Sequence, residues 1–209
     1  MEQVLEEYSS ECPENTARLC FDERPCQLVE HVYTPIKMSE GKSKKIDCEY
    51  KRKGTASLLM AYDIDRGKRY GQVKKRRTKK EFSEFMNDLE KNHEDYEKLI
   101  IILDNLNTHK YGSFYEYLKL DRAEALRKKI NFIYTPKHGS WLNMVEIEFA
   151  ALSKQCLNRR IATEEALRKE YQAWEEQRNK KEVKISWSFT VPEARSKMES
   201  HYIKVCHEN

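Results

Sequence analysis

Six residues, Lys98 to Leu103 (KLIIIL), do most to limit the folds open to this chain. The apolar run stops at Asp104 and Asn105 and leaves a strand no polar face, so that strand belongs inside a sheet covered on both sides. Such a strand is typical of parallel pairing, with helices packed above and below. A second segment, Arg18 to Leu28 (RLCFDERPCQL), reads as another strand, ending near Pro25 and carrying Asp22 and Glu23 at or just before its end. A carboxylate inside an apolar strand is unusual, and this chain shows the arrangement twice.

The remaining elements follow from local signals. Tyr50 to Ile64 holds a turn-like KRKG and then an apolar run, and Arg69 to Lys74 alternates after the turn residues Asp65 to Gly67. With the Arg18 strand these make an antiparallel three-stranded meander. Thr78 has the character of a helix N-cap, and the segment after it places Phe82, Phe85, Met86 and Leu89 on one helical face. Short helices are expected at Ser113 to Leu118 and around Arg122 to Lys129, followed by a strand at Asn131 to Tyr134. Asn143 is expected to cap a helix running to about Leu157 and Thr163 one running to about Asn179, and Pro192 opens a last short helix.

Three strands, then helix, strand, helix, strand and helices, describe an α/β chain with a mixed five-stranded sheet, three strands antiparallel and the later ones parallel additions. This is the order of the ribonuclease-H-like fold, with extra C-terminal helices. The expected organisation is a polar leader at 1–17 with a possible short helix at Glu2 to Tyr8, a ribonuclease-H-like domain at 18–180, and a tail at 181–209. A chain of 209 residues suits one substantial domain.

Charged residues make up 35% of the chain, and its longest apolar stretch, Leu99 to Leu103, falls far short of the roughly 20 residues of a bilayer crossing. The acidic N-terminus lacks the basic and apolar regions of a signal peptide, so an intracellular (cytoplasmic) location without membrane association is expected. The six cysteines include no CxxC pair and are expected to be reduced thiols. The net charge is only +4, but the positive residues are bunched, above all in Lys74 to Lys80 (KKRRTKK). Lys74, Lys75, Arg76, Arg77, Lys79 and Lys80 make a local potential suited to a polyanion, although a charge run is also what a solvated face looks like.

Asp22, Asp104 and Glu146 each occupy a segment where a carboxylate is expensive. Burying one without a partner costs several kcal/mol, so each must emerge at an element end or meet a cation. If the Asp22 and Asp104 strands are neighbours and the Glu146 helix packs across their ends, the three form an all-oxygen site suited to Mg²⁺ or Mn²⁺. Two such ions roughly 3.5–4 Å apart serve in-line phosphodiester displacement. Taken singly, the same residues also fit plainer roles: an edge-strand turn, an Asx turn and a first-turn helix acid.

The segments CFDERP (Cys20 to Pro25), LDNLNTHK (Leu103 to Lys110) and YTPKHGSWLNMVEIEF (Tyr134 to Phe149) closely resemble the three signature blocks of DDE transposases in the mariner superfamily. More narrowly they resemble the bacterial insertion sequence 630 family, and GTASLLMAYD and RRTKKEFSEFMNDL are similar to that family's linking strand and helix. The resemblance implies a metal-dependent enzyme that cuts DNA at transposon ends and joins the freed 3′-hydroxyl to target DNA at TA sites, acting as a homodimer. It matches Asp22, Asp104 and Glu146 to the catalytic, metal-holding triad.

Glu148 is the nearest rival to Glu146, but helical spacing sets it about 200° around the axis, so only one of the two can face the metal. Glu23 is expected on the opposite face of its strand from Asp22. Glu23, Asn105, His109 and Asn143 are expected to support the site. Lys137, His138 and Trp141 line the loop ahead of Glu146, where they could grip DNA, with packing the simpler role for Trp141.

Members of the family carry an N-terminal helix-turn-helix region, for which the 21 residues before Asp22 leave no room. The chain is therefore expected to be a truncated copy, an excised catalytic domain, or the second frame of a split gene whose upstream frame supplies that region. A silent remnant that binds DNA or a partner transposase, and a stand-alone nuclease, are the alternatives.

Overall fold

The computed structural model describes residues 1–199. Strands β1 (Thr16–His31), β2 (Tyr50–Asp63) and β3 (Lys68–Lys74) form an antiparallel meander, and β4 (Lys98–Leu103) and β5 (Ile130–Tyr134) add in parallel beyond β1. The sheet order is β3-β2-β1-β4-β5. The mixed five-stranded sheet expected from the element order is thus the one observed.

The pleat divides the core in two. Cys20, Leu58, Met60, Tyr62, Ile102 and Ile133 face one side and are covered by α1 (Glu2–Ser9), α5 (Val145–Gln155), α6 (Glu164–Lys180) and α7 (Val191–Lys197). Leu19, Phe21, Leu59, Ala61, Leu99, Ile101 and Leu103 face the other, under α2 (Lys79–Lys91), α3 (Gly112–Tyr117) and α4 (Leu120–Lys129). Period-2 alternation along buried strands requires two apolar layers, which explains why KLIIIL has no polar face. Thr78 caps α2 in a reciprocal box with Glu81, and the Thr163 hydroxyl accepts the Ala166 N–H at the start of α6.

Four local expectations are corrected. β1 does not end near Pro25 but runs on to His31, because beyond Cys20 it has β2 on one side only, and an edge position tolerates a residue without an N–H. KRKG is no turn. It lies inside β2, where Gly54 at φ +116° accompanies a register shift opposite Leu28 and Val29, as in a β-bulge. The short helix expected at Glu2 to Tyr8 is present as α1, but residues 1–17 are no mere polar leader, since α1 buries Val4 and Leu5 completely in the core and β1 starts at Thr16. Asn143 is not the N-cap residue of the helix that follows, a place taken by Met144; its Oδ1 still accepts the Val145 N–H at 3.4 Å while its amide N–H donates to the sheet. Cys206 and the end of the tail lie outside the described residues.

Both sheet edges are closed by side chains. On β3, the Asn179 amide accepts the Arg69 N–H and donates to the Arg69 carbonyl, both at 2.8 Å, and Arg168 donates to the Val73 carbonyl. On β5, the Tyr111 hydroxyl accepts the Phe132 N–H and donates to the Ile130 carbonyl. Charged or polar cover of this kind blocks edge-to-edge pairing with a second chain. α6 sits so close to β3 that a Cβ on Gly71 would overlap the buried Tyr171 ring and hydroxyl.

The same contact buries Glu175, which accepts the Tyr171 hydroxyl at 3.0 Å. Burial outweighs that bond and pushes the Glu175 carboxyl up to about 7. A carboxyl with a raised folded-state value favours folding fully below its unfolded value and loses that contribution as pH climbs toward 7. Glu175→Gln is expected to remove the loss, so thermal melts of variant and parent should diverge between pH 5 and 8, by at most about 3 kcal/mol in favour of the variant. Parallel melting curves across that range would show that Glu175 is solvated.

Candidate active site

Parallel pairing of β1 with β4 brings the two aspartates together. The last paired residues are Cys20 and Ile102, and Asp22 and Asp104 each stand two residues further on. Neighbouring strands lie about 4.8 Å apart, so both acids emerge at the same end of the sheet, where β4 stops. Asp22 shares the Cys20 face and Glu23 shares the Phe21 face, in keeping with the strand period.

Helix α5 is tied down over this end. The Asn143 amide donates to the Phe21 carbonyl at 2.8 Å, and the Tyr8 hydroxyl donates to the Leu142 carbonyl at 2.8 Å. Arg24 reaches from β1 to the Phe149 carbonyl and the Ser153 hydroxyl. The start of α5, with exposed Glu146 in its first turn, is therefore held against the residue before Asp22. Burial, and then the charges of Asp104 and Glu146, push the Asp22 carboxyl up to about 7, against the bond it accepts from the Glu23 N–H. Two acids far away in sequence thus bear on Asp22.

His109 lies beneath them, fully buried. Its Nδ1 is 2.5 Å from Asp104 Oδ1 and its Nε2 is 3.3 Å from Glu23 Oε1. Burial opposes charge on the ring, but the bonds to Asp104 and Glu23 prevail and raise it to about 9, so it is an imidazolium at neutral pH. The second Glu23 oxygen is buried with no hydrogen-bond partner among the described residues. Asn105 is exposed and receives the Lys110 ammonium. Among the described residues, no three His, Cys, Asp or Glu side chains converge on a common ligating point, and one Asp104 oxygen is engaged by His109.

The basic run leaves the sheet at this same end. Asp22 pairs with Met60 and Met60 with Gly71, while Pro25 pairs with Ser57 and Ser57 with Lys74. Lys74 is accordingly two strands across and three residues beyond Asp22, roughly 10 Å in each direction. Lys74 and Lys79 form ion pairs with Glu84 and Glu116, which weakens their case as ligand contacts. Lys75, Arg76, Arg77 and Lys80 are exposed. A cleft of about 490 Å³ between β3, α2 and α6 lies beside this run and is lined in part by Lys75, Lys80 and Arg168.

Lys137 and His138 are exposed in the loop before α5, and His138 has a left-handed φ of +63°. Trp141 is 45% exposed and packs edge-on against Phe189 at 5.5 Å, so it combines packing with an open ring face.

Sequence reasoning missed the partners of Glu148. Its carboxylate is fully buried and accepts two bonds from Arg69 and two from Arg178, at 2.6–2.9 Å. The 200° offset from Glu146 was the one available signal that the two acids have different surroundings.

Residues 17–168 match the model of the DDE superfamily endonuclease family. The chain belongs to that family. No curated protein matches it in sequence. Solved structures similar to it include a Mos1 transposase paired-end complex with the left transposon end, at TM-score 0.55 and 13% identity over 79% of this chain and 51% of that one. A Mos1 mariner paired-end complex with Mn matches at TM-score 0.52 and 13% identity, again over 79% and 51%. The Mos1 strand transfer complex matches at TM-score 0.53 and 15% identity, over 75% and 46%. The chain spans about half the length of these proteins, and at such identities the likeness is one of fold. No described helix is long and apolar enough to cross a membrane.

Asn143 is the joint between site and sheet. Asn143→Ala removes a buried bond and leaves the Phe21 carbonyl without its side-chain partner, which is expected to cost about 1–2 kcal/mol in chemical denaturation. A loss below about 0.3 kcal/mol would show that packing alone seats α5.

Proposed function

We propose that this chain, chiefly residues 18–180, is the catalytic domain of a DNA transposase that uses divalent metal to cleave strands at transposon ends and to transfer the freed 3′-hydroxyl into target DNA. The observation that carries the reading is the emergence of Asp22 and Asp104 side by side at the end of the β1–β4 pair, with the start of the Glu146 helix tied to the residue before Asp22. Asp22, Asp104 and Glu146 offer carboxylate oxygens from three elements brought to one end of the sheet, and a hard cation such as Mg²⁺ or Mn²⁺, which suits oxygen ligands of this kind, would draw them together.

In this reading Asp22, Asp104 and Glu146 would hold two divalent ions, which when bound would activate the attacking hydroxyl and stabilise the leaving oxygen. His109 holds one oxygen of Asp104 and is itself held by Glu23, so the aspartate is oriented from behind. Asn143 seats the Glu146 helix on β1. Lys75, Arg76, Arg77 and Lys80 contact the phosphate backbone, with Lys137, His138 and Trp141 on the other flank. Insertion at TA sites and action as a homodimer belong to the same proposal.

Incubation with labelled transposon ends, plasmid and Mn²⁺ is expected to give joined products. Cleavage without joining would favour a stand-alone nuclease, and retention of DNA without turnover a silent remnant. Asp104→Asn is expected to abolish both steps, by at least about a thousandfold, while circular dichroism stays unchanged. Survival of activity in that variant would end the assignment.

Simultaneous replacement of Lys75, Arg76 and Arg77 by Ala is expected to weaken DNA binding for all sequences alike. It should also flatten the dependence of log affinity on log salt concentration by up to about 2.7 on duplex DNA. An unchanged slope would mark the run as a solvated face.

A further inference from the structure

Glu148, Arg69 and Arg178 tie three elements together. Glu148 projects from α5, Arg69 from β3 and Arg178 from α6, and each guanidinium binds the carboxylate through two nitrogens. Arg69 also donates to the carbonyls of Gly67 and Val183 and lies over the Tyr62 ring at 4.8 Å. The side chains of Arg69 and Glu148 are fully buried and that of Arg178 is 15% exposed.

As a source of stability such a cluster is poorly chosen. Desolvating three charged groups costs several kcal/mol each, and an apolar set of the same volume commonly packs as well or better. What four directed bonds supply, and apolar packing does not, is a fixed rotation of α5 about its axis. β3 lies on one side of β1 and β4 on the other. A helix lying over β1 and β2 that is held through Glu148 toward β3 turns the residue 200° away, Glu146, toward the side where Asp22 and Asp104 emerge.

We infer that the Arg69–Glu148–Arg178 cluster is a positioning device that sets the rotation of α5 and so delivers Glu146 to the two aspartates. The inference rests on the proposed metal site, and Glu148 itself is a positioning residue that touches no reacting atom.

The test is Mn²⁺ affinity, read from the free-ion electron paramagnetic resonance signal, alongside thermal melts of each variant. Glu146→Gln is the reference and is expected to weaken binding about tenfold or more. The double variant Arg69→Met and Glu148→Met removes the clamp without leaving a buried charge unpaired in the pair, and is expected to melt as high as the parent or higher. Its Mn²⁺ affinity is nonetheless expected to fall about 10-fold, the range seen when groups that orient metal ligands are lost.

A folded double variant with parental Mn²⁺ affinity, beside a weakened Glu146→Gln, would overturn the positioning role and leave the site reading intact. Parental affinity in Glu146→Gln would overturn the site reading and the inference with it. Should the double variant fail to fold, Arg178→Met leaves a neutral Arg69–Glu148 pair and is read in the same way: weaker Mn²⁺ binding supports the clamp, and parental binding overturns it.

Discussion

Parallel pairing between β1 and β4 is the constraint from which the site follows. It ends at Cys20 and Ile102, and the two strands then part company: β4 stops, while β1 continues with β2 alone. That divergence opens a gap at the sheet end with an aspartate on each wall. It also leaves a free edge on β1, which explains why Pro25 can sit inside a long strand and why α5 can be fastened to the Phe21 carbonyl from outside. Had β4 run on beside β1, both acids would be enclosed in a ladder and could meet neither solvent nor ligand.

Charge is handled in opposite ways by Glu148 on α5 and Asp22 on β1. Glu148 is surrounded by guanidinium groups that hold its carboxyl below the usual range despite burial. Asp22 is pushed the other way, by burial and by neighbouring acids, and its region of the molecule favours an added positive charge. His109 supplies part of it from below, bonded to Asp104 and Glu23. An imidazolium is bulky and faces only one Asp104 oxygen, so the rest of the carboxylate surface is left for a smaller, harder cation.

Much of this was legible in the sequence, for physical reasons that differ by element. KLIIIL could only be a doubly covered strand, and Thr78 and Thr163 announced helix starts because a hydroxyl at a cap competes well for the first free N–H groups. Asp22, Asp104 and Glu146 stood out because an acid beside an apolar run needs a reason to be there. What stayed hidden was long-range. Pro25 and KRKG are turn signals in isolation, and only the absence of a neighbour on one side of β1 and a bulge against Leu28 convert them into strand. The polar composition of residues 1–17 concealed Val4 and Leu5, two apolar residues whose burial depends on a face formed by α7 and the sheet.

The buried Arg69–Glu148–Arg178 cluster was hidden for the same reason, and its placement bears on how the whole end of the sheet is organised. Arg69 lies in β3, whose outer edge is closed by Asn179 and Arg168 from α6, and Arg178 is itself on α6. A single helix therefore both seals the sheet edge and fixes the helix that carries Glu146. The basic run departs from the far end of β3, so the same strand that anchors the acid from one side presents the cations on the other. Displacing α6 would loosen the edge, the orientation of α5 and the exit of the basic run together, because all three depend on β3 being held in one place.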